Sequence, residues 1–281
     1  MDTKLIKIVA DSSADTLALE GVSFSFAPLK IVTDDKEYID TTDLDVEKMV
    51  TELSIYNGKT STACPSPNDW LDAFSDAPYV ICVTITSNLS GSYNAACIAK
   101  QLYEEKHPTR KVFVLDTLSA GPELRLILEK LVEYIQTIES FNEICTAITN
   151  YLNHTGLIFM LESMKNLANN GRVSPIIARI AGFLGVRAVG KASTTGTLEL
   201  LDKCKGKQKA LTAILNNMKK EGMTGGKVRI GHCFNESTAI ELGSMIAAEW
   251  PKCNIEMYTC RGLCSFYAEK GGMLIGFEKD L

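Results

Sequence analysis

An apolar run that ends in a hydroxyl-rich loop is the feature that most constrains the fold of this chain. Residues 79–85 are almost all apolar, residues 86–93 read TSNLSGSY, and residues 94–103 have helical spacing. A buried strand that leads through a loop into a helix is typical of a parallel sheet covered by helices. Such sheets bind ligands where their strands end, and a helix N-terminus offers free N–H groups to anions. The loop therefore predicts a site for an oxyanion or a carboxylate.

The rest of the first half repeats this alternation of extended and helical segments. The segments are extended at 6–10, 24–32, 79–85 and 111–116 and helical at 46–53, 67–74, 92–106 and 124–138. This order favours a parallel sheet with helices on its faces. Pro67 is suited to the first turn of a helix, and Ser66 is suited to cap it.

The second half has a more mixed pattern. Strands are indicated at 157–160, 187–193, 197–201, 227–233, 254–259 and 273–277, and helices at 141–151, 208–220 and 237–250, with two short helices around 170–175. Residues 194–196, Thr-Thr-Gly, are a hairpin signal. We expect an α+β arrangement here. Because 281 residues exceed one typical small domain, the sequence predicts a parallel α/β domain at 1–153 and an α+β domain at 154–281.

Composition narrows the class of protein. The chain has 29 basic and 34 acidic residues, a net charge of −5 and no long run of either sign, which argues against nucleic-acid binding. No apolar run reaches membrane-spanning length and residues 1–10 lack a signal-peptide core, so we expect a soluble, cytoplasmic protein without stable membrane insertion. The nine cysteines are irregularly spaced, which favours buried reduced thiols over a zinc site. No metal is therefore expected.

Several other polar segments have both a structural and a functional interpretation. Residues 61–67 are stiffened by two prolines and could hold Thr62 in place, or could simply form a turn and a helix cap. Ser90 and Ser92 could cap a helix, bind a ligand, or do both. Residues 11–13, Asp-Ser-Ser, end the first strand. They could form another polar wall of the site at residues 86–93, or a simple turn.

Motifs of catalysis are weak in this chain. Residues 89–92 do not match the Gly-x-Ser-x-Gly elbow, and the phosphate-binding glycine loops are absent. We therefore assign no catalytic residue. Asn170-Gly171 predicts a left-handed helix cap, after which Arg172 projects from a fixed turn. Arg172 would either pair with a carboxylate or dock a partner from an exposed knob.

Taken together, these motifs resemble the DegV family of bacterial lipid-binding proteins, which includes the fatty-acid-binding subunit of a two-component fatty acid kinase. The resemblance covers essentially the whole chain, and no single motif is decisive. The segments that carry it are residues 8–15, 62–66, 89–93, 161–174 and 203–206. The resemblance implies a two-domain α/β fold with a lipid tunnel between the domains.

The resemblance also implies a function and a set of contacts. A long-chain fatty acid would lie in the tunnel, with its carboxylate at Thr62, Ser90 and Gly91 and with Ser92 in the same loop. The protein would be a carrier without cofactor that presents the acid to a partner acyl kinase, and Arg172 would serve in docking. The alternatives are an enzyme, either a hydrolase or a phosphotransferase, that uses the same pocket, and a binder of a different anion.

One residue departs from the family pattern. The family often ends with a His-x-Gly-Pro-Gly turn whose histidine reaches the carboxylate, whereas residues 267–272 here read YAEKGG. Tyr267 therefore takes the place of the histidine. A tyrosine hydroxyl can still donate a hydrogen bond, but it is neutral near pH 7 and supplies no positive charge.

Overall fold

The computed structural model describes residues 5–174 and 185–280. Its strands are β1 Ile6–Asp11, β2 Ser23–Ala27, β3 Lys30–Thr33, β4 Glu37–Ile39, β5 Thr60–Ala63, β6 Tyr79–Thr84, β7 Lys111–Asp116, β8 Thr155–Leu161, β9 Val186–Ala192, β10 Leu198–Lys205, β11 Lys227–His232, β12 Asn254–Thr259 and β13 Met273–Glu278. The α-helices of the described residues are α1 Val46–Ile55, α2 Pro67–Phe74, α3 Ser92–Lys106, α4 Pro122–Thr137, α5 Phe141–Tyr151, α6 Lys165–Asn169, α7 Lys207–Lys220, α8 Glu236–Glu249 and α9 Gly262–Ala268. Of the two short helices expected around 170–175, one corresponds to α6, and the prediction of the other falls on residues outside the described ranges.

The first sheet is parallel, as the alternation predicted. Its strand order is β2-β1-β6-β7, and every neighbouring pair runs in parallel. The buried side chains of β1 and β6 alternate between a core shared with α4 and α5 and a core shared with α2 and α3. Both faces are therefore covered, which explains why these strands read as continuous apolar runs. Ser66 caps α2 through a reciprocal capping box, with Pro67 in the first turn.

The second sheet is mixed, which confirms the α+β prediction. Its order is β10-β9-β8-β13-β11-β12, and only β11 and β12 run in parallel. The predicted hairpin joins β9 and β10, with Gly196 at a φ of +75° in its turn. Helices α7 and α8 share a core with one face of the sheet. Helix α4 contacts β13 and β11 and also belongs to the first core, so it lies between the two large sheets.

A third, three-stranded sheet was not predicted. It is antiparallel with the order β4-β3-β5, and it packs against α1 and α9. The extended segment at 24–32 is in fact two strands in two different sheets, since proline at position 28 has no N–H to continue a ladder. The expected loop at 61–67 begins inside strand β5, where Thr62 pairs with Ile31.

The two large sheets occupy different parts of the chain. Strands β1 to β7 precede residue 153 and strands β8 to β13 follow it. The predicted domain boundary near Asn153 is compatible with this division and stays a prediction. Among the described residues, no helix combines the length and the apolarity that crossing a bilayer would require.

Candidate ligand-binding site

A cavity lies between the carboxyl-terminal edge of the parallel sheet and one face of the mixed sheet. The space between its walls, including a part that is open to solvent, measures about 910 Å³. Both halves of the chain contribute to its largely apolar wall. The apolar lining residues are Leu29, Ile85, Leu89, Ala120, Leu157, Phe159, Leu161, Leu167, Leu198, Leu263, Ala268 and Leu274.

Strand β8 supplies one side of this wall through its alternation. Leu157, Phe159 and Leu161 line the cavity, while Ile158 and Met160 point into the core beneath α7 and α8. Successive side chains of a strand face opposite sides, so one strand serves both the cavity and the core. The sequence shows only an apolar run here and does not separate these two groups of residues.

Helix α9 supplies another side and was missed in the sequence. Buried Asp40 accepts hydrogen bonds from the N–H groups of Gly262 (3.0 Å) and Leu263 (2.9 Å), and Asp15 accepts one from Arg261 (2.9 Å). The first turn of α9 is thus capped by carboxylates from the other half of the chain.

The buried capping carboxylate Asp15 leads to a prediction on pH dependence. Burial raises its pKa to about 7 from an ordinary value of 3.8. The folded protein therefore keeps this proton to higher pH than the unfolded chain, so this group lowers the free energy of unfolding as the pH rises towards 7. Asp15→Asn removes the titration, and asparagine tolerates the left-handed backbone at this position (φ 54°). Between pH 5 and pH 8, the free energy of unfolding of the variant should therefore rise by about 2–3 kcal/mol relative to that of wild type.

Urea unfolding at the two pH values measures this gain. Asp43→Asn, at an exposed position, is the matched control and should show no such change. An Asp15→Asn variant whose stability difference from wild type is the same at both pH values would contradict the prediction.

The structure brings Thr62 and Tyr267 into direct contact. Thr62 lies on β5 and Tyr267 on α9, and their hydroxyl oxygens are 2.7 Å apart. Burial raises the pKa of Tyr267, so its hydroxyl keeps its proton near pH 7. Two hydroxyl groups have two protons, and only one is needed for the bond between them. The pair therefore retains one donor for a third group in the cavity.

The loop before α3 adds two further donors. Ser90 and Gly91 line the cavity. The Ser90 hydroxyl oxygen accepts a hydrogen bond from the N–H of Ser92 (3.2 Å), and within the described residues neither the Ser90 hydroxyl proton nor the Gly91 N–H has an acceptor. Glycine suits position 91 because an added Cβ would lie 3.1 Å from the sulfur of Cys64.

The side chain of Ser92, a predicted ligand contact, turns away from the cavity. It is fully buried, and its hydroxyl donates to Asp11 Oδ2 at 2.6 Å. The same oxygen accepts the N–H of Ile85 at 2.9 Å. Asp11 thus joins the ends of β1 and β6 to the start of α3, and Ser92 holds the loop in place. The segment 11–13 is a support for this loop, with a short 3₁₀ turn at Ser12–Ala14.

Arg172 occupies a position that differs from both sequence interpretations. The predicted left-handed cap is present, with Gly171 at a φ of +72°. The side chain of Arg172 is half-buried and lines the cavity, where its Nε donates to the carbonyl of Leu89 at 3.1 Å and its Nη1 donates to the carbonyl of Asn170. The expectation of an exposed knob is therefore wrong, because the loop carbonyl draws the guanidinium inward. A function in partner docking stays a prediction.

The hairpin between β9 and β10 braces the same loop. The hydroxyl of Thr86 donates to the carbonyl of Gly196 (2.9 Å), and the side-chain amide of Asn88 donates to the carbonyl of Thr195 (2.6 Å). Any Cβ at position 196 would lie 2.1 Å from the Thr86 hydroxyl, so the turn requires glycine there. The second half of the chain therefore fixes the loop that bears Ser90.

Neither a histidine partner for Ser90 nor a metal-binding group is found among the described residues. No histidine among them hydrogen-bonds to Ser90: His154 contacts the carbonyl of Asp280, and His232 accepts the N–H of Asn235. No group of three or more His, Cys, Asp and Glu side chains in this part of the chain is placed to hold a metal ion. The nine cysteines, all of which are described, form no disulfide.

Comparison with known proteins identifies the family. The sequence model of an uncharacterised protein family named DegV matches residues 5–280. This chain belongs to the DegV family. A DegV domain-containing protein of Streptococcus pneumoniae is 42% identical over 278 residues, which are 98% of this chain and 99% of that protein. The resemblance inferred from the sequence motifs is confirmed.

Two solved structures share the DegV fold of this chain. A DegV family protein from Eubacterium eligens, loaded with heptadecanoic acid, has a TM-score of 0.96 and 41% identity, with 98% of this chain and 100% of that chain covered. The Fatty Acid Kinase (Fak) B3 protein of Streptococcus pneumoniae, loaded with linoleic acid, has a TM-score of 0.95 and 42% identity, with 98% and 99% covered. These matches confirm the predicted fold class.

Proposed function

We propose that this DegV protein binds a long-chain fatty acid, with the acyl chain in the cavity and the carboxylate at its polar end. The observation that carries the proposal is a largely apolar cavity in which hydroxyl and amide donors from both halves of the chain converge. The fatty acids bound in the two similar structures support the same class of ligand.

The head group would be held mainly by neutral donors. The Thr62–Tyr267 pair, the Ser90 hydroxyl and the Gly91 N–H together offer three hydrogen bonds, and a carboxylate accepts several at once. Arg172 is the one cationic side chain among the described residues that line the cavity. Its guanidinium adds positive charge near a site where the tyrosine supplies none.

We further propose that the protein is a carrier that presents the acid to a separate acyl kinase. The similar Streptococcus pneumoniae protein bears the name Fatty Acid Kinase (Fak) B3 protein, which supports a connection with such a kinase. Cys64 and Gly91, which lie beside each other at the polar end, are both exposed, so a bound carboxylate would be accessible to a partner. The alternative is an enzyme in which Ser90 acts on an ester or on a phosphoryl donor in the same pocket.

Denaturing extraction of the purified protein followed by mass spectrometry tests the ligand class. We expect stoichiometric fatty acid, and we expect the delipidated protein to rebind an acid in the C14–C18 range. A delipidated but folded protein that binds none of these acids would refute the proposal. Turnover of esters or of ATP by the isolated chain, if abolished by Ser90→Ala, would favour the enzyme instead.

The contact between Thr62 and Tyr267 gives a prediction for the head group. Tyr267→Phe still leaves one donor, the Thr62 hydroxyl, but removes the partner that orients and polarises it, so the affinity for a fatty acid should fall by roughly 2–10-fold, which corresponds to about 0.5–1.4 kcal/mol. Isothermal titration with one acid measures the change. Tyr258→Phe is the matched control, because the buried Tyr258 hydroxyl has no hydrogen-bond partner in the described residues and does not line the cavity. Equal affinities for the two variants would contradict the proposed head-group contact.

A further inference from the structure

A second cleft lies next to the cavity and shares one wall residue with it. Leu157 lines both spaces. The second cleft measures about 840 Å³ including space open to solvent. It has some apolar lining, such as Leu152 and Phe277, but unlike the cavity it is bordered by several charged side chains, which are Glu123, Lys191, Glu221 and Lys279. Leu157 therefore stands where an apolar wall meets a polar one.

The position of Leu157 along β8 places it far from the proposed head-group site. Leu161, near the other end of the strand, belongs to the same apolar cluster as Tyr267 and Leu167. Leu157 is four residues away, about 13 Å along an extended strand. The next residue on the same face is Thr155, whose hydroxyl donates to Glu123 Oε1 at 2.7 Å. The apolar row along this face of β8 thus ends at Leu157.

The groups beyond Leu157 are unsuited to an apolar chain. Glu221 bridges two ammonium groups, that of Lys191 at 2.8 Å and that of Lys279 at 3.5 Å. Glu123 is buried and accepts hydrogen bonds from the hydroxyls of Ser119 and Thr155. A methylene chain that entered this cleft would displace water from charged groups without offering them hydrogen bonds, which is unfavourable.

We propose that Leu157 sets the longest acyl chain that the protein accepts, by closing the apolar cavity against the polar cleft. This inference rests on the proposed binding of a fatty acid and assigns its length specificity to one side chain. A smaller side chain at position 157 would join the cavity to the second cleft. The end of a longer acyl chain could then occupy the volume of the missing carbons.

The length profile of binding tests this proposal. Affinities of saturated acids from C12 to C22 are measured for the wild-type protein, Leu157→Ala and Leu274→Ala. Affinity should rise about fourfold per methylene up to a longest favourable acid. In Leu157→Ala this maximum should move up by about two or three carbons, since the substitution removes three side-chain carbons. Leu274→Ala is the same truncation at a residue that lines the cavity but not the second cleft. The longest favourable acid of this variant should stay within one carbon of that of wild type.

A second variant keeps the test decisive if the alanine variant is unstable. Leu157→Val removes one carbon, retains strand propensity and should move the maximum up by about one carbon. Circular dichroism of each variant verifies folding. An unchanged maximum in both folded Leu157 variants, or an equal shift in Leu274→Ala, would overturn the proposal while leaving fatty acid binding intact. A wild-type protein that binds no acid of any length would instead refute the proposed function itself.

Discussion

Shortening the bound acid from eighteen to ten carbons should weaken its binding by roughly 10⁴-fold. Each methylene removed from water contributes about 0.8 kcal/mol, so eight of them represent about 6 kcal/mol before any loss from imperfect packing. The wall that would receive them is made mostly of leucine, isoleucine and phenylalanine side chains. The head-group donors are the same for both acids and therefore cancel in the comparison.

Displacement of a fluorescent fatty acid, at concentrations below micelle formation, measures the two affinities. The methyl ester of the C18 acid is the matched control, since it retains the tail and loses the charge of the carboxylate. Its binding should weaken far less than that of the C10 acid, by about 10–100-fold, because hydrogen bonds to a charged group contribute about 1.5–3 kcal/mol. A C10 acid that binds within tenfold of the C18 acid would show that the cavity does not hold the tail.

The parts of the site that lie close together in the chain could be predicted from the sequence. The loop at 86–93 and its helix were recognisable because a strand, a glycine-containing turn and a helix follow one another directly in the chain. Thr62 was recognisable as a residue of a proline-stiffened loop, but its contact with a ligand was implied only by the family motifs, and Tyr267 was recognisable only through them. Their contact joins residues 205 positions apart, and no local pattern encodes it.

Helix α9 shows why one wall of the site was missed. Its seven residues include glycine and serine and have little helical periodicity of their own. Asp40 caps its first turn from more than 200 positions earlier in the chain. A helix that owes its start to a distant carboxylate leaves no capping signal in its own sequence.

Side-chain direction was the other property that the sequence did not encode. Ser92 was predicted as a ligand contact and Arg172 as a docking residue, yet their hydrogen bonds turn the serine away from the cavity and the arginine towards it. In each case the partner is an acceptor on another element, Asp11 for the serine and the carbonyl of Leu89 for the arginine. Such choices depend on which buried acceptors need a donor.

Replacing Asp11 with alanine should lower the free energy of unfolding by about 3–5 kcal/mol. Asp11 is fully buried and accepts the N–H of Ser13 (3.2 Å), the N–H of Ile85 (2.9 Å) and the hydroxyls of Ser13 and Ser92. Each buried donor left without an acceptor costs about 1–3 kcal/mol, and local relaxation recovers part of the sum. Urea unfolding at pH 7 measures the loss. Asp43→Ala, at an exposed position, should change stability by less than about 0.5 kcal/mol.

A bound fatty acid should also stabilise Asp11→Ala less than it stabilises the wild-type protein. Asp11 is the buried anchor of the loop that presents Ser90 and Gly91, so a folded Asp11→Ala protein would have to order this loop when it binds. Stabilisation by a ligand grows with the ratio of its concentration to the dissociation constant. At a fixed fatty acid concentration, the rise in melting temperature should therefore be smaller for Asp11→Ala than for wild type or Asp43→Ala. An equal rise in all three proteins would mean that the loop is positioned without Asp11, and that its brace by the hairpin at Gly196 suffices.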